Sequence, residues 1–122
     1  MVSCLTYFRV EFNENFCVKD FCESLKLTKN EVDYSSEKMR LIIGRNERFN
    51  INVNEMLRVT LKDLLGKEEL LFALKEKYGL TYYLERVPSL SVSEINPILS
   101  LEEDIIRFLY LTKTIDDLDY YV

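Results

Sequence analysis

The carboxylates near the end of the chain are the first candidates for chemistry, because Asp116, Asp117 and Asp119 crowd into one short segment. Hard divalent cations prefer several carboxylate oxygens, so such a cluster invites a metal reading. On a strand, however, successive side chains point to opposite faces, and only Asp117 and Asp119 would share one. The glycine-bearing pattern of a calcium loop is also missing. A solvated strand face, kept from edge-to-edge aggregation by its charge, explains these residues better, and no metal site is expected.

The remaining chemistry is narrowed by one absence. The chain contains no histidine. That removes Ser-His-Asp and Cys-His nucleophilic arrangements, imidazole acid–base work and most zinc sites. Gly44, Gly66 and Gly79 stand too far apart to cradle a phosphate, and neither a P-loop nor a dinucleotide fingerprint occurs. Cys4, Cys17 and Cys22 are odd in number and lack framework spacing, so they read as small apolar residues and not as disulfide or metal partners. No catalytic residue and no cofactor is expected, and the chain reads as non-enzymatic.

What remains is a surface. Tyr7, Arg9 and Glu11 alternate with the apolar side of an opening strand; Tyr83 and Glu85 do the same in a later one, and Asp117, Asp119 and Tyr121 in the last. Period-2 alternation would send all of them to the face opposite the core. Tyrosine offers large contact area at low entropic cost, so tyrosines among charges suit partner binding. A water-facing sheet with aromatic cross-strand pairs is the competing reading. The predicted binding residues are Tyr7, Arg9, Tyr83, Glu85, Asp117, Asp119 and Tyr121.

Charge says what kind of partner fits. The formal net charge is −5 with a pI near 4.8. From Leu101 onward six acidic residues face only Arg107 and Lys113, so that stretch carries −4 of the total. Such a chain lacks the basic footprint of nucleic-acid binding and suits a basic protein partner. Lys38, Arg40, Arg45 and Arg48 form a small basic stretch that reads as a solvated hairpin.

The elements that must position these residues follow from periodicity. Cys4, Thr6, Phe8, Val10 and Phe12 mark the buried side of a strand over Cys4–Asn13, and Val18, Phe21, Cys22 and Leu25 then change to helical spacing. Residues 27–36 read as irregular. Met39, Leu41 and Ile43, a turn at Gly44–Glu47, and then Phe49, Ile51 and Val53 predict a hairpin. Asn54 is the expected cap of a helix carrying Leu57, Leu61, Leu64 and Leu65, and a second helical stretch covers Lys67–Tyr78. These could be two helices or one bent helix. Leu80–Val87 alternates as a strand, Ser100 and Glu103 form a capping box before a helix bearing Ile105, Phe108, Leu109 and Thr112, and Ile115–Val122 closes the chain as a strand.

The expected order is therefore β-α-β-β-α(α)-β-α-β: an α+β fold, with a single mainly antiparallel or mixed sheet and helices packed on one face. At 122 residues, with 48% hydrophobic residues and only three Gly and two Pro, the chain is expected to form a single domain over 1–122. No apolar stretch approaches the roughly 20 residues that span a bilayer, so a cytoplasmic protein with no membrane partner is expected.

The second half also resembles a known family. Asn54–Leu65, Lys67-Glu68-Glu69-Leu70 through Lys77-Tyr78-Gly79-Leu80, Pro97-Ile98-Leu99-Ser100-Leu101 and Ile115-Asp116-Asp117-Leu118-Asp119-Tyr120-Tyr121-Val122 look like the bacterial domain-of-unknown-function family 4279. The opening strand and helix fit as well. Leu27-Thr28-Lys29 lacks the proline that the family carries there, and the chain has no tryptophan. The resemblance implies a small bacterial α+β protein, with immunity proteins of toxin systems among similar domains, and transfers no functional residue. A non-enzymatic protein-binding module is the leading expectation, a toxin-neutralising immunity protein being one form that it could take. A homo-oligomeric scaffold and a small-ligand binder or enzyme are the alternatives.

Overall fold

The computed structural model describes residues 3–49, 52–89 and 101–119. In chain order these form β1 (Ser3–Glu11), α1 (Val18–Leu25), β2 (Val32–Ser35), β3 (Arg40–Phe49), α2 (Val53–Thr60), α3 (Glu68–Tyr78), β4 (Thr81–Ser89), α4 (Glu103–Thr112) and β5 (Ile115–Leu118). A single 3-10 turn, Lys29–Glu31, leads into β2.

One mixed sheet runs through the chain in the order β2-β3-β1-β4-β5. β1 is its centre and pairs antiparallel with both β3 and β4. β5 joins the far edge parallel to β4, which the α4 crossover makes possible, since parallel neighbours need a long connection. The even-numbered residues of β1 are buried: Cys4, Thr6, Phe8 and Val10 are all at most 2% exposed. Across the ladder Phe8 meets Ile43 and Leu84, and Val10 meets Leu41 and Tyr82, so all these side chains share one face.

The helices cover that face. Phe21 and Leu25 of α1, Val53 and Leu57 of α2, Leu71 and Leu74 of α3, and Ile105 and Phe108 of α4 join the sheet residues in one apolar cluster. Each fully buried side chain of this size contributes about 1.5–3 kcal/mol, which makes this layer the main source of stability. Tyr82 lies within it, and its hydroxyl donates to the Leu71 carbonyl at 2.6 Å, so the buried phenol is not left unpaired. Asp20 of α1 accepts from the Tyr78 hydroxyl and from Lys77 Nζ at 3.0 Å, pinning α1 to the end of α3.

The α+β architecture and the helices on one face agree with the sequence, but three local expectations do not. The hairpin is formed by β2 and β3 around residues 36–39, and Gly44 lies inside β3. There it takes φ +68 and inserts one extra residue: Phe8 pairs with Ile43 while Thr6 pairs with Asn46. A left-handed glycine serves a bulge as well as a turn, and here it bends a ten-residue strand instead of ending it. Residues 32–35, expected to be irregular, are strand.

The second difference concerns caps. Asn52, not Asn54, opens α2, accepting from the Asn54 N–H at 2.8 Å and the Glu55 N–H at 3.4 Å. Asn54 is buried in the first turn, and its amide oxygen accepts the Glu102 N–H at 2.8 Å. The third concerns α4, which starts at Glu103 with Glu102 in the capping position, while Ser100 lies outside the described residues. Residues 53–78 are two helices, separated by turns through Leu61–Gly66.

Candidate functional site: the helix-free sheet face

Among the described residues every helix packs on the even-numbered side of β1, so the odd-numbered side carries the candidate site. Register brings its members together. One row crosses the sheet through Asp33, Ile42, Arg9, Tyr83 and Ile115; the next runs through Tyr7, Glu85 and Asp117. Five of the seven predicted residues (Tyr7, Arg9, Tyr83, Glu85 and Asp117) are therefore immediate neighbours on β1, β4 and β5. Asp119 sits just past β5, where its backbone N–H donates to the Arg86 carbonyl at 2.9 Å. Tyr121 lies outside the described residues.

Arg9 organises the face. Its Nη1 stands 2.8 Å from Glu85 Oε1, its Nε 3.6 Å from Glu11 Oε2, and its guanidinium lies 4.2 Å over the Tyr83 ring. A planar guanidinium can stack on an aromatic and pair with a carboxylate at once, which an ammonium does poorly. The stacking fixes Tyr83 beside Arg9 near the centre of the face, where it is half-buried.

Glu85 is where sequence reasoning missed most. It was expected to offer its charge to solvent, yet its side chain is only 5% exposed. Tyr7 stands in register on one side and Asp117 on the other, and together they wall it in. Burial, followed by the hydrogen bond to Asp117, pushes its carboxyl up to about 7, against the opposing pull of Arg9. The Asp117 and Asp119 charges push the same way as burial. Glu85 thus holds its proton far more readily than an exposed carboxyl would, and the more exposed carboxylates of the face are those of Asp117, Asp119 and Glu11.

The other side of the β4–β5 ladder is tied down separately. Arg86, with a side chain 4% exposed, grips Asp116 with two hydrogen bonds: Nε to Oδ1 at 3.0 Å and Nη2 to Oδ2 at 2.7 Å. Paired contacts of this geometry are among the stronger charge-assisted bonds. The two neighbouring aspartates of β5 therefore do opposite things. Asp116 anchors the strand on the helix-bearing side, and Asp117 looks out from the other.

Concavities are modest. A groove of about 730 Å3 between α1 and β2 is lined by Val18, Cys22, Leu27, Val32 and Tyr34, with Lys19 and Glu23 as its charged members. A polar cleft of about 310 Å3 lies between β3 and the end of α2. In the first, burial pushes the Cys22 thiol up, away from the reactive thiolate form. Among the described residues no group of three or more Cys, Asp or Glu could hold a metal ion, and the Asp116–Asp119 segment splits between two faces as strand geometry requires. No helix among them is long and apolar enough to cross a membrane. Comparison with family models, with curated proteins and with solved structures finds no match.

Proposed function

We propose that this chain is a non-enzymatic protein-binding module whose sheet face opposite the described helices captures a basic segment of a partner protein. One observation carries the reading: Tyr7, Arg9, Tyr83, Glu85 and Asp117 are contiguous across three paired strands. Tyr83, held by Arg9, is the apolar anchor at the centre, and Asp117, Asp119 and Glu11 supply an acidic rim. A rim of that sign speeds encounter with a basic surface and rejects acidic ones. Among such modules, a toxin-neutralising immunity protein is the kind that the family resemblance suggests.

The partner can be recovered by affinity capture on the tagged chain and then titrated against variants. Tyr83→Ala is expected to weaken the complex at least about tenfold, as truncation of a central aromatic anchor does. Asp119→Ala is expected to slow association and to flatten its dependence on salt. Affinity and rates unchanged in both variants would remove the face from consideration.

A homo-oligomeric scaffold is the second reading, and α4 is the observation that favours it. Ile106, Tyr110 and Leu111 are 51%, 69% and 40% exposed there, more apolar surface than one short helix usually shows to water. Sedimentation at high micromolar concentration separates the two readings, since a monomer under those conditions eliminates self-assembly.

A further inference from the structure

We infer that Glu85 and Asp117 form a proton-operated latch: when they share a proton the terminal strand β5 is held on the sheet, and when both are ionised β5 loosens from β4. The device is built into the register. Glu85 and Asp117 are direct partners across the β4–β5 ladder and on the same face. Two carboxylates placed opposite each other repel, whereas a carboxyl and a carboxylate form a strong hydrogen bond. Among the described residues β5 is four residues long and pairs on one side only, with β4, so the Glu85–Asp117 contact bears directly on its hold.

The surroundings decide the sign. Facing Glu85 from β1 are Tyr7 and Arg9, with Glu11 beyond Arg9; from β4 comes Tyr83; from β5 comes Asp117, with Asp119 just past the strand. Arg40, Arg45 and Glu47 of β3 lie one strand further away, and Arg40 and Arg45 line a cleft with Tyr7, Asp33 and Lys38. Arg9 is the cation beside Glu85, against two acidic groups, Asp117 and Asp119, that act on it. Its ion pair with Glu85 opposes proton uptake but does not overcome burial, which is why the carboxyl titrates near 7 and not at its ordinary 4.5. A carboxyl whose folded value lies above its free value binds extra proton in the closed state. The closed state is therefore strongest in acid and weakens as pH rises from about 4.5 to about 7.

Two features make the release local. Arg86 holds Asp116 from the opposite side by contacts that do not depend on Glu85, so the strand has a fixed hinge on one face and a titrating clasp on the other. The core beneath β1 contains no part of the clasp. Opening would loosen the β4–β5 ladder on the Glu85 side and carry Asp117 and Asp119 away from Tyr83.

Amide hydrogen exchange on the intact chain, corrected for the intrinsic effect of pH, tests the latch. Protection of the Ile115–Asp119 amides is expected to fall about tenfold between pH 6 and pH 8, while that of Phe8 and Val10 stays level. Glu85→Gln keeps the shape and removes the titration, and its protection in β5 should be the same at both pH values. Asp117→Asn removes the facing charge and should make the slope shallower, leaving the part that the burial of Glu85 supplies. Asp116→Asn should lower protection at both pH values and leave the slope intact. A flat wild-type profile, a slope that survives Glu85→Gln, or an equal slope in the amides of Phe8 and Val10 would each overturn the proposal. None of these readouts requires a binding partner, so the latch can fail while the binding face stands, and the reverse.

Discussion

Gly44→Ala is expected to abolish the cooperative thermal transition of the domain or to move it down by tens of degrees. Gly44 adopts φ +68, a region that costs an L-residue about 1–2 kcal/mol. The larger effect is steric. A Cβ built there would lie 2.1 Å from the Thr60 carbonyl oxygen, 2.8 Å from its carbon and 2.9 Å from its Cα. These are backbone atoms at the end of α2, so no side-chain rotation can make room. Either β3 straightens its bulge and loses register with β1, or α2 lifts off the sheet. Lifting α2 also breaks the hydroxyl contact between Thr6 and Thr60, at 2.7 Å the polar stitch between helix and central strand. Gly66 supplies the control, because it has φ +89 and nothing within 4 Å of its would-be Cβ. Gly66→Ala should lose only the conformational term, about 1–2 kcal/mol. Circular dichroism melts of the two variants test the comparison, and coincident curves would show that the close approach of α2 to Gly44 is wrong.

The same glycine shows why parts of the fold were legible in the sequence and others were not. Alternation along Cys4–Phe12 identified both faces of β1, because that strand lies between two neighbours and its burial has a strict period of two. Near Gly44 the local signal is ambiguous: a left-handed glycine among polar residues suits a hairpin turn, and only pairing with β1, some forty residues earlier, makes it a bulge. β2 escaped notice for a related reason. Val32-Asp33-Tyr34-Ser35 is an edge strand with two exposed middle residues, so water contact blurs the pattern that burial would impose. Asn52 and Asn54 are equally good caps in isolation. The choice follows from Val53, buried to 4% exposure, and from Asn54's bond to Glu102, which are tertiary facts.

The candidate site divides along the same line. Which side chains look away from the helices is a local property, and Tyr7, Arg9, Tyr83, Glu85 and Asp117 were correctly placed on one face. Whether they touch depends on strand order, and the adjacency of β1, β4 and β5 rests on two long-range ladders that no short window contains. Glu85 makes the difference concrete. Its direction could be read from alternation, but its burial and its raised carboxyl come from Tyr7 and Asp117, on two other strands. A sequence window sees an exposed charge where the sheet makes a buried carboxyl that holds its proton.

Phe8→Ala is expected to cost about 3–5 kcal/mol, the usual range for removing a fully enclosed aromatic. Phe8 is wholly buried at the middle of the central strand, its ring centre 5.2 Å from that of Tyr82 and 6.1 Å from that of Phe108. It thus joins β1, β4 and α4 through one side chain, and those elements cannot close over the void without disturbing the ladders on both sides. Phe12 offers the comparison within the same strand's extension. It is half-buried and stacks on Phe16 at 4.5 Å and on Tyr34 at 5.6 Å, near the rim of the layer, where water can fill a gap at little cost. Urea titrations should therefore place the Phe8→Ala midpoint well below that of Phe12→Ala, with similar slopes if both unfold in two states. Equal midpoints would mean that the core is centred elsewhere. The result also bears on the opposite face, because Arg9 is the next residue along the backbone. A strand loosened at Phe8 cannot hold the Arg9 guanidinium over Tyr83, so the variant should bind a partner less well even where it remains folded.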